Sequence, residues 1–196
     1  MLSRRNLAIG LAFLLALALS APGCGSSGEI GDGTHPNYER ALAGAPPPLA
    51  ALYGEANEIL PGGLDAYEKR IEALRGYPVV VNVWSSWCGP CRFEFPVLQD
   101  LSARFGERVA FLGVDFWDET DAAETFLRDN PVPYPSYEDG DKEIGDSLGG
   151  RGVPRTAFYG RDGELCAVKS GPYPEESELE ADVRRYALGG ECPEGA

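Results

Sequence analysis

The chain has 196 residues, 17 basic and 31 acidic, a formal net charge of −14, five cysteines and one histidine. A hydrophobic fraction of 43% and an aromatic fraction of 10% belong to a folded domain with a sizeable core, not to a disordered chain. The acidic balance excludes a nucleic-acid partner gripped by its phosphates, and the single His35 excludes His-rich metal sites.

The first element is a signal. Arg4 and Arg5 precede an apolar run, Leu7 to Leu19, of about 13 residues, short of the roughly 20 that a spanning helix needs. A basic start, a short apolar stretch and small residues after it predict an export signal over residues 1–23. Ala18 and Ser20 suit an ordinary signal peptidase. Gly23-Cys24, followed by Gly25-Ser26-Ser27-Gly28, resembles a bacterial lipoprotein signal, in which Cys24 becomes the lipidated first residue. The alternative is a free or pairing thiol at Cys24. Removing residues 1–23 takes away two arginines and no acid, leaving 15 basic against 31 acidic side chains. Such a surface is repelled by anionic headgroups, so attachment to a membrane would come from the N-terminal lipid anchor.

Residues 24–45 read as a flexible tether, rich in Gly, Ser, Asp and Pro, with His35 a solvated member of it. Pro46-Pro47-Pro48 opens a domain over 46–192. Leu49, Leu52, Tyr53, Ala56, Ile59 and Leu60 have one-sided helical spacing, ended by Pro61-Gly62-Gly63. Leu64, Tyr67, Ile71 and Leu74 predict a second helix. Val79–Trp84 is a β-branched run with the length of a buried strand. A helix through Phe95, Leu98, Leu101 and Phe105 follows, then a strand over Val109–Asp115. Asp121 with Glu124 resembles a helix start. Tyr134–Glu138 predicts a short strand and Asp141–Leu148 a short helix. Thr156–Tyr159 and Leu165–Lys169 flank Arg161-Asp162-Gly163, a hairpin signal. Ser177 and Glu180 read as a capping box for a last helix ended by Gly189 and Gly190. Strands alternating with helices, then a hairpin and a helix, give an α/β sandwich around a mixed central sheet.

The chemistry sits directly after the first long strand, at Trp87-Cys88-Gly89-Pro90-Cys91. Cysteines three apart at a helix start lie on one side and can close a disulfide. Unpaired N–H groups and the positive end of the helix dipole stabilise a thiolate at Cys88. Pro90 stands in the first turn, where no N–H partner is needed. Cys88 is therefore the attacking sulfur and Cys91 the resolving one. A zinc site is the competing use of this spacing, but Cys166 and Cys192 form no second knuckle. A purely structural bridge is the other, but it would constrain very little chain.

Val79–Arg92 resembles the active-site strand and motif of thioredoxin, and Leu64–Leu188 resembles extracytoplasmic thioredoxin-like proteins of the TlpA/ResA type. Cys88–Pro96 matches their C-x-x-C-x-x-E-F-P, and Gly152-Val153-Pro154 matches the loop whose proline is cis. Thr120–Leu148 matches their helix-containing insertion between strands. The resemblance implies a thioredoxin fold, a mixed sheet flanked by helices, with that insertion and an N-terminal helical extension. It implies that Pro154 faces the disulfide and that the Val153 backbone pairs with an extended substrate. It makes Glu94 a proton acceptor or modulator near the cysteines and Trp87 a shield and contact surface. Thioredoxin carries a buried acid where this chain has Asn82, so that role passes to Glu94 or water. Arg155 follows Pro154 and would favour thiolate at Cys88 if it pointed there. Cys166 and Cys192, on adjacent elements of such a fold, are expected to form a structural disulfide.

The reading is thus an extracytoplasmic, membrane-tethered thiol–disulfide oxidoreductase that reduces exported proteins, for example in cytochrome c maturation. It needs no dissociable cofactor and no metal, and a membrane electron donor restores its dithiol. The alternatives are an oxidase that introduces disulfides and a non-catalytic binding lipoprotein on the same scaffold.

Overall fold

A computed structural model describes residues 35–193. The predicted signal and Cys24 lie outside the described residues. Six strands form one sheet in the order β1-β4-β3-β2-β5-β6. They are β1 (Ile59–Leu60), β2 (Val79–Trp84), β3 (Ala110–Phe116), β4 (Ser136–Asp139), β5 (Arg155–Tyr159) and β6 (Leu165–Ser170). The first four in that order pair in parallel, while β5 runs antiparallel to both β2 and β6. The sheet is therefore mixed, as expected.

Central β2 is buried along its whole length. Its alternation divides the core. Val80 and Trp84 point toward α4 (Gly89–Phe105), α5 (Thr120–Asp129) and α7 (Glu176–Asp182). Val79, Val81 and Val83 point toward α2 (Pro47–Tyr53), α3 (Gly63–Ala73) and α6 (Glu143–Ser147). A strand covered on both faces can be apolar throughout, which is why Val79–Trp84 reads as a continuous run. Trp84 anchors the first face, edge-on to Phe95 at 5.3 Å between ring centroids.

Four expectations need correction. The tether does not extend to residue 45: α1 (Tyr38–Ala41), capped by the Asn37 side chain, packs on the domain. The Tyr38 hydroxyl donates to the Pro131 carbonyl at 2.9 Å, and Gly44 N–H donates to Glu107 at 2.7 Å. The helix proposed over Leu49–Leu60 stops at Tyr53. Asn57 then takes a left-handed conformation (φ 62°), and Ile59 and Leu60 pair with Ser136 and Tyr137 as the edge strand β1. Apolar residues inserted at a sheet edge happened to keep helical spacing. Neither predicted capping side chain caps. Glu119 and Glu175 occupy the N-cap positions of α5 and α7 without a side-chain bond, and Asp121 and Ser177 lie inside the helices. Glu180 instead binds Arg104 and Arg184. The last helix also continues as a π-helical turn over Val183–Leu188.

Candidate active site

Strand β2 ends at Trp84, and Ser85-Ser86-Trp87 carries the chain over the sheet's edge to α4. Cys88 is the N-cap residue of that helix, and its sulfur accepts a hydrogen bond from Cys91 N–H at 3.1 Å. Cys88 and Cys91 are joined in a disulfide with Cα atoms 5.2 Å apart. Cys88 is 4% exposed and Cys91 fully buried, so Cys88 is the outer sulfur. When the bond opens, the N–H that faces Cys88 stabilises its thiolate together with the helix dipole. Gly89 and Pro90 fill the first two helical positions.

Glu94 lies three residues after Cys91, on the same side of α4. It is 1% exposed. Asn82 Nδ2 donates to one carboxyl oxygen at 2.8 Å, and Tyr173 N–H donates to the other at 3.0 Å. Burial pushes the Glu94 carboxyl up from 4.5 to about 7, against the pull of those two donors and of Lys169. Lys169 packs over the Tyr173 ring at 3.7 Å, and the Tyr173 hydroxyl donates to Asp182. Asn82 thus does not replace a buried acid; it orients one.

Trp87 is 57% exposed beside the disulfide. Its indole N–H donates to the Trp117 carbonyl at 3.1 Å, and the rings meet edge-on with centroids 6.2 Å apart. Trp117 is equally exposed and sits in a left-handed conformation (φ 48°), sparsely populated for so bulky a residue. The Lys142 ammonium lies over its ring at 3.8 Å. Trp87, Trp117, Asp118 and Glu119 line a cleft of about 410 Å³. A larger cavity, about 1020 Å³, runs along β6 between Leu148 and Tyr186. The smaller cleft is the one that adjoins the cysteine pair, through Trp87, the residue next to Cys88.

The Val153–Pro154 peptide bond is cis. Val153 packs against the cluster that contains Cys88 and Cys91, and the Pro154 carbonyl accepts from Gly171 N–H at 3.0 Å. Arg155 does not face Cys88. It pairs with Val83 in β5 and so points to the opposite face of the sheet. There its guanidinium donates to the carbonyls of Gly145, Gly149 and Gly150 and stacks over Phe116. Cys166 in β6 and Cys192 beyond the π-helical turn are bonded, with Cα atoms 4.8 Å apart.

Sequence reasoning missed three residues here. Trp117 lies just beyond the strand expected over Val109–Asp115 and belongs to no motif. Asp118 accepts from both Ser86 N–H and Ser86 Oγ–H, the latter at 3.0 Å. Asp115, 3% exposed at the end of β3, is pushed up from 3.8 to about 8 by burial and by neighbouring carboxylates, Asp118 foremost. The cue was there, since Asp115 closes a buried β-run and ordinary burial does not tolerate an unpaired acid.

A family model described as Redoxin matches residues 58–183. Thiol:disulfide interchange protein DsbE of Escherichia coli (strain K12) is 37% identical over 185 residues, covering 92% of this chain and 90% of that one. Thiol-disulfide oxidoreductase ResA of Bacillus subtilis (strain 168) is 29% identical over 114 residues, 57% of this chain and 64% of that one. Among solved structures, MTB dsbF in its mixed oxidized and reduced forms superposes with a TM-score of 0.53 at 31% identity. That match covers 57% of this chain and 82% of that one.

Proposed function

The chain belongs to the Redoxin family and is a thiol–disulfide oxidoreductase, and on that premise we propose that it reduces disulfides of exported proteins outside the cytoplasm. The observation that carries this reading is the Cys88–Cys91 pair at the N-terminus of α4, with buried Glu94 one turn further on. In the dithiol form, the Cys88 thiolate attacks one sulfur of a substrate disulfide. That S–S bond breaks, a mixed disulfide forms, and the other substrate sulfur leaves as thiolate and takes a proton. Cys91 then loses its proton and attacks Cys88 Sγ. The second substrate sulfur leaves, also to be protonated. The substrate gains two electrons and the protein's pair becomes the disulfide. Cys91 is fully buried, so water is a poor acceptor for its proton; Glu94, pushed up to about 7, is the acceptor within one helical turn.

The electrons travel in the Cys88–Cys91 pair itself, so turnover needs no dissociable cofactor. A membrane dithiol donor restores the reduced form. Gly-Pro between the cysteines, as in thioredoxin, supports the reducing direction. Trp87 and Trp117 offer the apolar surface on which the substrate polypeptide lies, with the Val153 backbone pairing to it as an added strand. Apocytochrome c, whose cysteines must be reduced before haem attachment, fits as substrate. The signal at residues 1–23 and the Cys166–Cys192 bridge support a site outside the cytoplasm, and Gly23-Cys24 supports a lipid anchor there. Among the described residues, no helix is long and apolar enough to cross a membrane.

Reduction of insulin by residues 25–196, prepared as the dithiol, tests the activity, with Cys88→Ser as the dead control. The redox potential of the pair, equilibrated against glutathione, tests the direction. A value well above the glutathione couple makes the protein an oxidase and overturns the reductase reading. Cys91→Ser traps the mixed disulfide and names the substrate.

A further inference from the structure

Cys88 is delivered by three residues, Ser85-Ser86-Trp87, that leave β2, the first buried, the second half-buried and the third exposed. What holds them is mostly polar. Ser85 Oγ donates to the Phe116 carbonyl, and the Arg92 guanidinium donates to the Ser86 carbonyl at 3.2 Å. Asp118 takes the rest: one carboxylate oxygen accepts Ser86 N–H, the other accepts Ser86 Oγ–H at 3.0 Å and Glu119 N–H at 2.9 Å. A carboxylate that grips three donors must itself be held still.

Asp115 is what lies behind it. Its side chain leaves β3 on the face toward α4, level with Trp84 on β2 and with Glu138 on β4. It is nearly fully buried, one of its oxygens has no partner, and after burial the Asp118 carboxyl is the first of the groups that raise its own. Two carboxyl groups can share a hydrogen bond only if one carries the proton. Asp118 is the acceptor of three donors, so the proton belongs on Asp115. The remaining charges that bear on it have the same sign, Glu138 and Asp139 on β4. Asp139 is itself occupied by the N–H groups of Ile144 and Gly145 at 2.9 and 2.8 Å.

We infer that Asp115 is a positioning residue of the exchange reaction: its carboxyl O–H donates to the Asp118 carboxylate, which clasps Ser86 and fixes the loop that presents Cys88. The inference rests on exchange at Cys88–Cys91 but not on its direction. Loss of the proton sets two carboxylates face to face, with Glu138 alongside, and the clasp on Ser86 loosens. The transition falls at about pH 8, where burial and those carboxylates place Asp115.

The Ser86 amide proton, followed by ¹⁵N–¹H correlation spectra of the oxidised protein, reads the clasp without any turnover. In the wild type it lies downfield at pH 6 and moves upfield as pH rises through 8. In Asp115→Asn the carboxamide N–H still donates to Asp118, so the signal stays downfield across the range. In Asp115→Ala it lies upfield already at pH 6, and the rate of insulin reduction falls about tenfold, as for loss of a charge-assisted hydrogen bond. Asp115→Asn restores that rate to within about twofold of wild type at pH 6. A wild-type Ser86 signal that does not titrate, or titration that persists in Asp115→Asn, overturns the inference. Should Asp115→Ala fail to fold, the Asn variant decides alone. Absence of insulin reduction in the wild type would count against the proposed function and leave the Ser86 titration fully readable.

Discussion

Replacing Glu94 by Gln removes one buried titration and changes little else in volume. Glu94 is 1% exposed, and its carboxyl is raised from 4.5 to about 7, chiefly by burial. A raised carboxyl binds its proton more tightly in the folded than in the unfolded chain. Protonation therefore stabilises the fold: the contribution is complete below the unfolded value of 4.5 and is lost as pH rises through about 7. At about 1.36 kcal/mol per pH unit the loss comes to about 3 kcal/mol. Asp115 titrates through an overlapping range in the same direction, but it is present in both proteins and cancels from their difference. The experiment is urea unfolding of wild type and Glu94→Gln, both with intact disulfides, at pH 4.5, 6, 7 and 8. The stability of wild type relative to the variant should fall by about 3 kcal/mol from the acid end of the series to the alkaline end. A difference that stays flat, or that grows with pH, refutes the assignment of a buried, destabilised carboxylate at Glu94. The same variant should slow resolution of the mixed disulfide by roughly 100-fold, the lower end of the range for a lost general base, while leaving the first attack by Cys88 in place.

Trp117→Ala should lower kcat/KM for insulin about tenfold while sparing reduction of a small aromatic disulfide, since only the polypeptide needs the second ring. Equal loss on both would place Trp117 in loop architecture instead. Arg155→Met strips donors from the Gly145, Gly149 and Gly150 carbonyls and should cost about 2 kcal/mol in urea unfolding. Its Cys88 alkylation profile against pH should match wild type; a shifted profile would mean that Arg155 reaches the thiolate after all. The Cys166→Ser/Cys192→Ser double variant removes a bridge across 26 residues of sequence and should lose about 3 kcal/mol while keeping full insulin reduction.

The core was legible because its signals are local. Val79–Trp84 announces a strand covered on both faces, and α4 announces itself by apolar residues at helical spacing after a cysteine N-cap. The errors fall where a long-range partner overrides a local pattern. Ile59 and Leu60 have helical spacing from Leu49 onward, but Ser136 and Tyr137 offer an open parallel edge, and the chain takes it. Tyr38 and Gly44 looked like tether because their partners, Pro131 and Glu107, are far along the chain. Ser177 is a good cap by type, but the helix already begins at Glu176.

The same distinction governs the site. Cys88, Cys91, Trp87 and Glu94 lie within eight consecutive residues on one strand-turn-helix, so a motif finds them together. Asp115, Trp117 and Asp118 come from the neighbouring strand's end; Asp115 carries a local cue as an acid closing a buried run, but no motif joins the three to the cysteines. They matter because the parallel register places Asp115 level with Trp84, where β2 gives way to the loop before Cys88. In a parallel sheet both strands end on the same side, so the loops that follow them meet at the strands' carboxyl ends. One loop carries the sulfurs and the other carries what holds them. Asn82 makes the complementary point on α4's side: its departure from an acid was visible, but the hydrogen bond to Glu94 that gives it meaning was not. The redox turn thus lies between two buried carboxyls, Glu94 from its own helix and Asp115 from the next strand. Burial raises both, so over the range in which they lose their protons the active loop and the stability of the domain respond to pH together.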